Sequence, residues 1–330
     1  MQEAVQRNSS GAACSEAFSV GGWTVVTSKG PIMSCDEVQK AEALLELKMP
    51  EMVFGKNALE LHNADANVSL RFDALHALSC VASEPWLQVA GADQWAGGSA
   101  LEVKEAGKLG SEPAPSYDWT YSSAFPGALR PAGHDWAVFP AAHPTSESER
   151  SGCLAGSRST SQPMNVALLQ PRDDCPILFH DEVLLFQVTA VVFVCHIILR
   201  SNLPSQDELH DNGDSIFSIK LRCTPKCAVN VLSIPAAFSL VSSRYIYVLS
   251  RNFLRVDGVL FNSLENRILI EFGAASIFHS FTHKRDTFSA VVKRFGSEDA
   301  AAEGMRNVDL LTAQLPVKSA HNFLVDLPLR

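Results

Sequence analysis

Apolar and polar residues alternate along several short stretches of the chain, and this period of two predicts strands more often than helices. Phe217, Ile219, Leu221 and Cys223 alternate with Ser218, Lys220 and Arg222, the pattern of a half-buried antiparallel strand. Val68, Leu70 and Phe72 repeat it. Leu254, Val256 and Leu260 face one way while Arg255 and Asp257 face the other, and Arg267 to Phe272 turns Ile268, Ile270 and Phe272 inward. Trp23–Thr27 and Tyr117–Tyr121 are strands by composition. Helical spacing is rarer. Ser34 and Glu37 have the capping-box spacing ahead of Val38, Ala41, Leu44 and Leu45, and Met49-Pro50 stops that helix. Asp73 caps a short helix carrying Leu75, Leu78 and Val81, and a last helix starts at Ser297 and runs through Met305 and Val308. Asn212-Gly213 is a turn signal. No β-α-β rhythm and no internal repeat appear. The pattern predicts an α+β fold, antiparallel sheets packed together with a few flanking helices, in a single domain over residues 18–315. Residues 1–17 are expected as a loose tail, 97–116 and 126–163 as flexible loops, and 316–330 as a C-terminal tail.

One stretch breaks the pattern. Val188 to Leu199 is oily and uncharged, between Asp181-Glu182 and Asp207-Glu208. Spanning ~30 Å of hydrocarbon takes roughly 20 apolar residues, so this run is too short for a membrane helix. A second uncharged stretch, Cys227 to Ser243, is interrupted by Asn230 and Pro235. No membrane partner is expected.

The chain has 330 residues, 46% of them hydrophobic, enough for a sizeable core. Its net charge is −9, and no Lys/Arg run exists to neutralise phosphates, which argues against nucleic acid. A basic protein surface is a more natural partner. None of the eight cysteines forms a CxxC pair, and no charged-then-apolar segment opens the chain. Reduced thiols in the cytoplasm are the expectation, with the nucleus also open.

Three His-Asp pairs, His134-Asp135, His180-Asp181 and His210-Asp211, supply residue types that hold a water-activating metal. A metal-dependent hydrolase using His180, Asp181 and His210 is therefore the enzymatic alternative, but it needs three ligands to converge. No G-x-S-x-G, G-x-G-x-x-G or phosphate-binding P-loop occurs. The favoured expectation is a protein without catalytic residues, metal or cofactor. Arg255 and Asp257, followed by Glu265 and Arg267, can build an ion-pair lattice on one sheet face, with Trp119 and Tyr121 supplying aromatic anchors. These six residues are the candidate partner-binding set.

Six blocks carry a family resemblance: "WTVVTSKGPIM", "MPEMVFGKNALEL", "YDWTYSSAFPG", "PILFHDEVLLF", "DELHDNG" and "NFLRVDGVLFNSLENR". In this order they resemble the TIPRL family, the TOR signalling pathway regulator-like or Tap-interacting proteins. The likeness covers most of residues 18–272 and is fainter in the tail. It implies a non-enzymatic regulator that binds the catalytic subunits of type 2A-family phosphatases (types 2A, 4 and 6). It also implies action with the alpha-four (Tap-type) partner in TOR signalling. The implied fold is antiparallel sheets with a cleft for the phosphatase's C-terminal tail.

The chain departs from the family in places. His76 stands where the family has an acidic residue that bears on phosphatase binding, and an imidazole cannot accept as a carboxylate does. Either Asp73 substitutes from a nearby position or phosphatase binding is weakened. Asn262 replaces a basic residue, while Glu265 and Arg267 keep the charge pattern. Two segments, 187–206 and 226–250, are longer than the family frame and lie in or beside core strands, where register is sensitive to length. The first is read as an interruption of the fold.

Overall fold

The computed structural model describes residues 6–10, 13–81, 120–134, 136, 147–164, 179–193, 209–224, 245–256, 259–295 and 307–328. Two antiparallel sheets account for most of them, and the architecture is α+β. The first sheet runs β1-β2-β3-β5-β6-β7 and the second β4-β9-β10-β11-β12-β13-β14-β8. The first comprises β1 (Gln6–Ser10), β2 (Ala13–Val20), β3 (Trp23–Lys29), β5 (Ala58–Asn63), β6 (Val68–Asp73) and β7 (Ala128–Arg130). The second holds the long strands β9 (Phe179–Phe193), β10 (Leu209–Thr224), β11 (Tyr245–Val256), β12 (Leu260–Glu271), β13 (Ser276–Thr287) and β14 (Val317–Asp326). Short β4 (Met52–Val53) and β8 (Arg158–Thr160) close its two edges.

One core joins the sheets. Val25, Leu59, Leu61, Leu70 and Phe72 of the first sheet lie in the same buried cluster as Val183, Leu185, Phe217, Ile219, Leu221, Ile246, Val248 and Ile268 of the second. The alternation read in 217–223 has its physical cause here: Phe217, Ile219, Leu221 and Cys223 face this core. β6 differs from its half-buried expectation, because Ser69 and Asp73 are buried as well. Helix α1 (Cys35–Leu45) begins at Ser34 with both hydrogen bonds of the capping box present. Helix α2 (Ala74–Ser79) is capped by Asp73, which accepts from the His76 amide.

An irregular segment, residues 120–127, is buried between the sheets and has no ladder to satisfy its carbonyls. Side chains of the second sheet do so instead. Ser215 Oγ donates to the Tyr121 carbonyl at 2.8 Å and Asn252 Nδ2 to the same oxygen at 3.2 Å. Asn266 Nδ2 reaches the Ala124 and Phe125 carbonyls at 2.9 and 3.2 Å, and Ser250 Oγ also donates to Phe125. Buried amides and hydroxyls are tolerated here because each finds a backbone partner.

Several expectations are corrected. Residues 1–17 carry β1 and part of β2, a hairpin at the rim of the first sheet. The 316–330 tail carries β14, which pairs with β13 along most of its length. Only Val325 of β14 is buried, and most of its apolar residues gather at one end, so no alternation marks it as a strand. The 126–163 loop contains β7, β8 and a helical turn, α3 (Glu147–Arg150), with Leu154 and Glu149 buried; Arg130 pairs with that Glu149 at 2.9 Å. Asn212-Gly213 is not a turn: it lies inside β10 at a register shift, with Gly213 at φ 147°. Of the oily run, Val188–Phe193 continues β9, paired with β10 up to Phe193–Leu209, so its β-branched residues extend a ladder rather than interrupt the fold. Tyr245–Ser250 of the second long segment is the first half of β11. Thr120 and Tyr121 are not in a strand. Residues 97–116, 117–119 and 296–306 lie outside the described residues, and with them most of the predicted last helix. Of that helix only Asn307 and Val308 are described, and there α5 (Val308–Gln314) begins anew behind its own Asn307 cap.

Candidate partner-binding face

Among the described residues, the face of the second sheet turned away from the shared core is half covered. Helix α4 (Phe288–Phe295) and α5 bury Phe253 and Phe261 with Val291, Leu311 and Leu315. The uncovered part is built by register. Arg251 lies opposite Glu265, Leu249 between Lys220 and Arg267, and Tyr247 between Arg222 and Leu269. Because successive side chains alternate, these rows share one face.

Glu265 is the centre. Its side chain has no exposure, yet it carries a carboxylate on the face where charge is cheapest to pair. Arg251 Nε donates to it at 3.1 Å, Arg267 Nη2 at 2.6 Å, and Lys284 Nζ lies 3.4 Å away. A buried carboxylate without such donors would be costly, and three cations resolve the cost. Asp309 of α5 extends the array, bonded to Arg251 Nη1 at 2.5 Å and Lys220 Nζ at 2.6 Å. Burial against the sheet pushes the Asp309 carboxyl up, but the hydrogen bonds from Lys220 and Arg251 outweigh it and hold it below the usual range. Tyr247 is half-buried beside Arg267 and Glu265, and burial raises its phenol above its ordinary value, so it remains a neutral donor.

The sequence-predicted set divides. Glu265 and Arg267 meet, as the lattice reading expects. Arg255 lies on the same face but pairs with Asp214 at 3.0 Å, beyond the apolar patch of Phe253 and Phe261. Tyr121 does not join them: it is 3% exposed in the core, its hydroxyl donating to the Lys48 carbonyl at 2.8 Å. Trp119 and Asp257 lie outside the described residues. Sequence reasoning missed Arg251, Tyr247, Lys220, Lys284 and Asp309. Arg251 is set opposite Glu265 by the β11–β12 register, in which Val256 pairs with Leu260, and that register is not written in the spacing along either strand.

The hydrolase alternative fails on geometry. His180 pairs in register with Arg222 and His210 with Val192, so twelve β9 residues separate the two histidines along the β9–β10 ladder. At 3.3 Å per residue this is roughly 40 Å. Asp181 forms an ion pair with Lys29 instead.

A second polar knot surrounds α2. The His76 ring, buried between Phe125 and Trp136, bonds through Nδ1 to Asp73 at 2.8 Å, and Arg71 Nε donates to the same carboxylate at 2.8 Å. Burial raises the Asp73 carboxyl, but the bonds and charge of His76 and Arg71 prevail and bring it to about 2. Asp73 is thus engaged within the fold and is not a surface acceptor in place of the missing family carboxylate.

A model of the TIP41-like family matches residues 52–189 and 237–292, more than half of the chain. The chain belongs to the TIP41-like family. The stretch between the two matched parts, 190–236, holds most of the 187–206 segment, all of β10 and the start of the 226–250 segment. A TIP41-like protein of Dictyostelium discoideum is 28% identical over 304 residues, 91% of this chain and 89% of the relative. The human TIP41-like protein is 27% identical over 277 residues, 83% of this chain and 78% of that one. A Saccharomyces cerevisiae relative, 25% identical over 268 residues, covers 78% of this chain and 59% of its own length; it is named type 2A phosphatase activator TIP41. No helix among the described residues is long and apolar enough to cross a membrane.

Proposed function

We propose that this TIP41-like chain is a non-enzymatic regulator that binds the catalytic subunit of type 2A-family phosphatases, types 2A, 4 and 6. We place it in TOR signalling in the cytoplasm, together with the alpha-four phosphatase-binding protein. The name of the yeast relative supports the phosphatase as partner. The observation that carries the reading for this chain is the open half of the sheet face, with Arg222, Tyr247, Arg251 and Arg267 arranged around buried Glu265. Arginine and tyrosine supply most binding energy at protein interfaces, and here they stand on paired strands rather than on a loop. Arg255 is a rim position in this proposal. Glu265 acts from below, fixing the three cations that surround it.

The test is retention of a purified type 2A catalytic subunit by the immobilised chain. Wild-type protein retains it, and Tyr247→Ala weakens the affinity by about tenfold or more, as an interface anchor does. Failure of the wild-type protein to retain any subunit overturns the proposal.

A further inference from the structure

We infer that Asp309 is an internal competitor for this face: its carboxylate occupies Arg251 and Lys220 until a carboxylate of an acidic partner segment takes its place. The inference rests on the proposed partner-binding role of the face.

Charge is the first argument. The open rows and their border hold five cations, Arg222, Lys220, Arg251, Arg267 and Lys284, against the carboxylates Glu265, Asp309 and Glu182. This local excess of positive charge sits in a chain of net charge −9. Such a patch draws in a carboxylate and repels a cation. Among the described residues Arg222 has no ion pair, so the patch is not neutralised from within.

The two central carboxylates differ in kind. Glu265 has no exposure and binds three cations, so it cannot leave without stranding them. Asp309 is 55% exposed at its side chain, and Arg251 and Lys220 are its ion-pair partners. Two donors on separate strands meet its two oxygens, one each, which is a carboxylate-binding geometry already in use.

The helix that carries Asp309 does not depend on it. Asn307 caps α5 by accepting from the Leu310 amide, Leu311 and Leu315 are buried against Phe253 and Phe261, and Lys284 donates to the Thr312 carbonyl. The carboxylate can rotate into solvent with α5 still seated. Exchange then swaps one half-exposed ion pair for another and uncovers no apolar surface. The competing account is that Asp309 only supports the first turn of α5 through the helix dipole.

Asp309→Asn separates the two. Asp326→Asn is the control: it changes net charge equally at an exposed carboxylate paired with Arg158. Two probes are titrated, fluorescein-labelled octaglutamate and the purified type 2A catalytic subunit, with octaglutamine as the neutral peptide. Asp309→Asn is expected to bind octaglutamate and the subunit about threefold to tenfold more tightly than wild type. Asp326→Asn is expected to match wild type, and octaglutamine not to bind. Equal tightening by both variants, or none by Asp309→Asn, overturns the inference. Tighter octaglutamate binding without retention of the subunit supports the competition and removes the phosphatase reading. Retention of the subunit without tightening on either probe does the reverse.

Discussion

His279 is a buried histidine that the fold keeps neutral. Its Nε2 pairs with Asn266 Oδ1 at 2.9 Å, its ring stacks on Phe323, and its Nδ1 is buried without a hydrogen-bond partner. Burial lowers its pKa from 6.5 to about 3. The unfolded chain therefore takes up a proton that the folded chain refuses, so stability falls as the pH drops from about 6.5 towards 3. The slope contributed by one such group reaches ~1.4 kcal/mol per pH unit. Asp73, held at about 2, adds a loss of the same sign only below its ordinary value of 3.8. Urea unfolding at pH 7 and pH 5 tests this. The wild-type protein should lose roughly 2 kcal/mol more between the two than His279→Gln, whose amide does not titrate. An identical pH dependence would contradict the burial account. His279 did not announce itself in the sequence, and Asp73 did so only as a helix cap, because burial of a polar side chain depends on which sheet lies over it.

At the scale of elements, local signals were legible and long-range ones were not. The Ser34 capping box and the Asp73 cap involve neighbours three residues apart, and both appear as expected. The alternation of β10 and the inward Ile268 and Ile270 also hold, since a strand buried on one face writes its period into the chain. β14 and the β1–β2 hairpin lie at or near sheet edges, and β14, with a single buried residue, leaves no such trace. The partner face depends on register: spacing along the chain grouped Arg255 and Asp257 with Glu265 and Arg267, whereas pairing across the hairpin sets Arg251 opposite Glu265. The clamp on residues 120–127 is equally hidden, because Asn252 and Asn266 read as polar strand residues until a buried segment lies against them. Asn266→Ala would leave the Ala124 carbonyl without that donor and free His279 Nε2. A loss of about 2–4 kcal/mol in denaturant unfolding is expected from two buried hydrogen-bonding sites. A change below ~0.5 kcal/mol would mean that water or relaxation replaces the clamp.

For the whole molecule, the two faces of the second sheet have different tasks. One packs on the first sheet and on the clamped segment; the other is divided between the α4–α5 cover and a charged array. This division separates the two tyrosines: Tyr121 belongs to the core, and half-buried Tyr247 stands on the charged array. The insertion at 187–206, expected to interrupt the fold, begins by lengthening β9 at the end of the ladder away from the array. Residues 194–206 of it lie outside the described residues, and Arg251 and Glu265 stay in register. The central claim is that the array is the surface the phosphatase meets. Its most direct measurement is the affinity of the purified type 2A catalytic subunit for the Arg222→Glu/Arg267→Gln double variant, beside Lys40→Glu on the exposed side of α1. With thermal melting unchanged for both, the double variant should bind at least about tenfold more weakly and Lys40→Glu within about twofold of wild type. Wild-type affinity in the double variant, or an equal loss in Lys40→Glu, would contradict it.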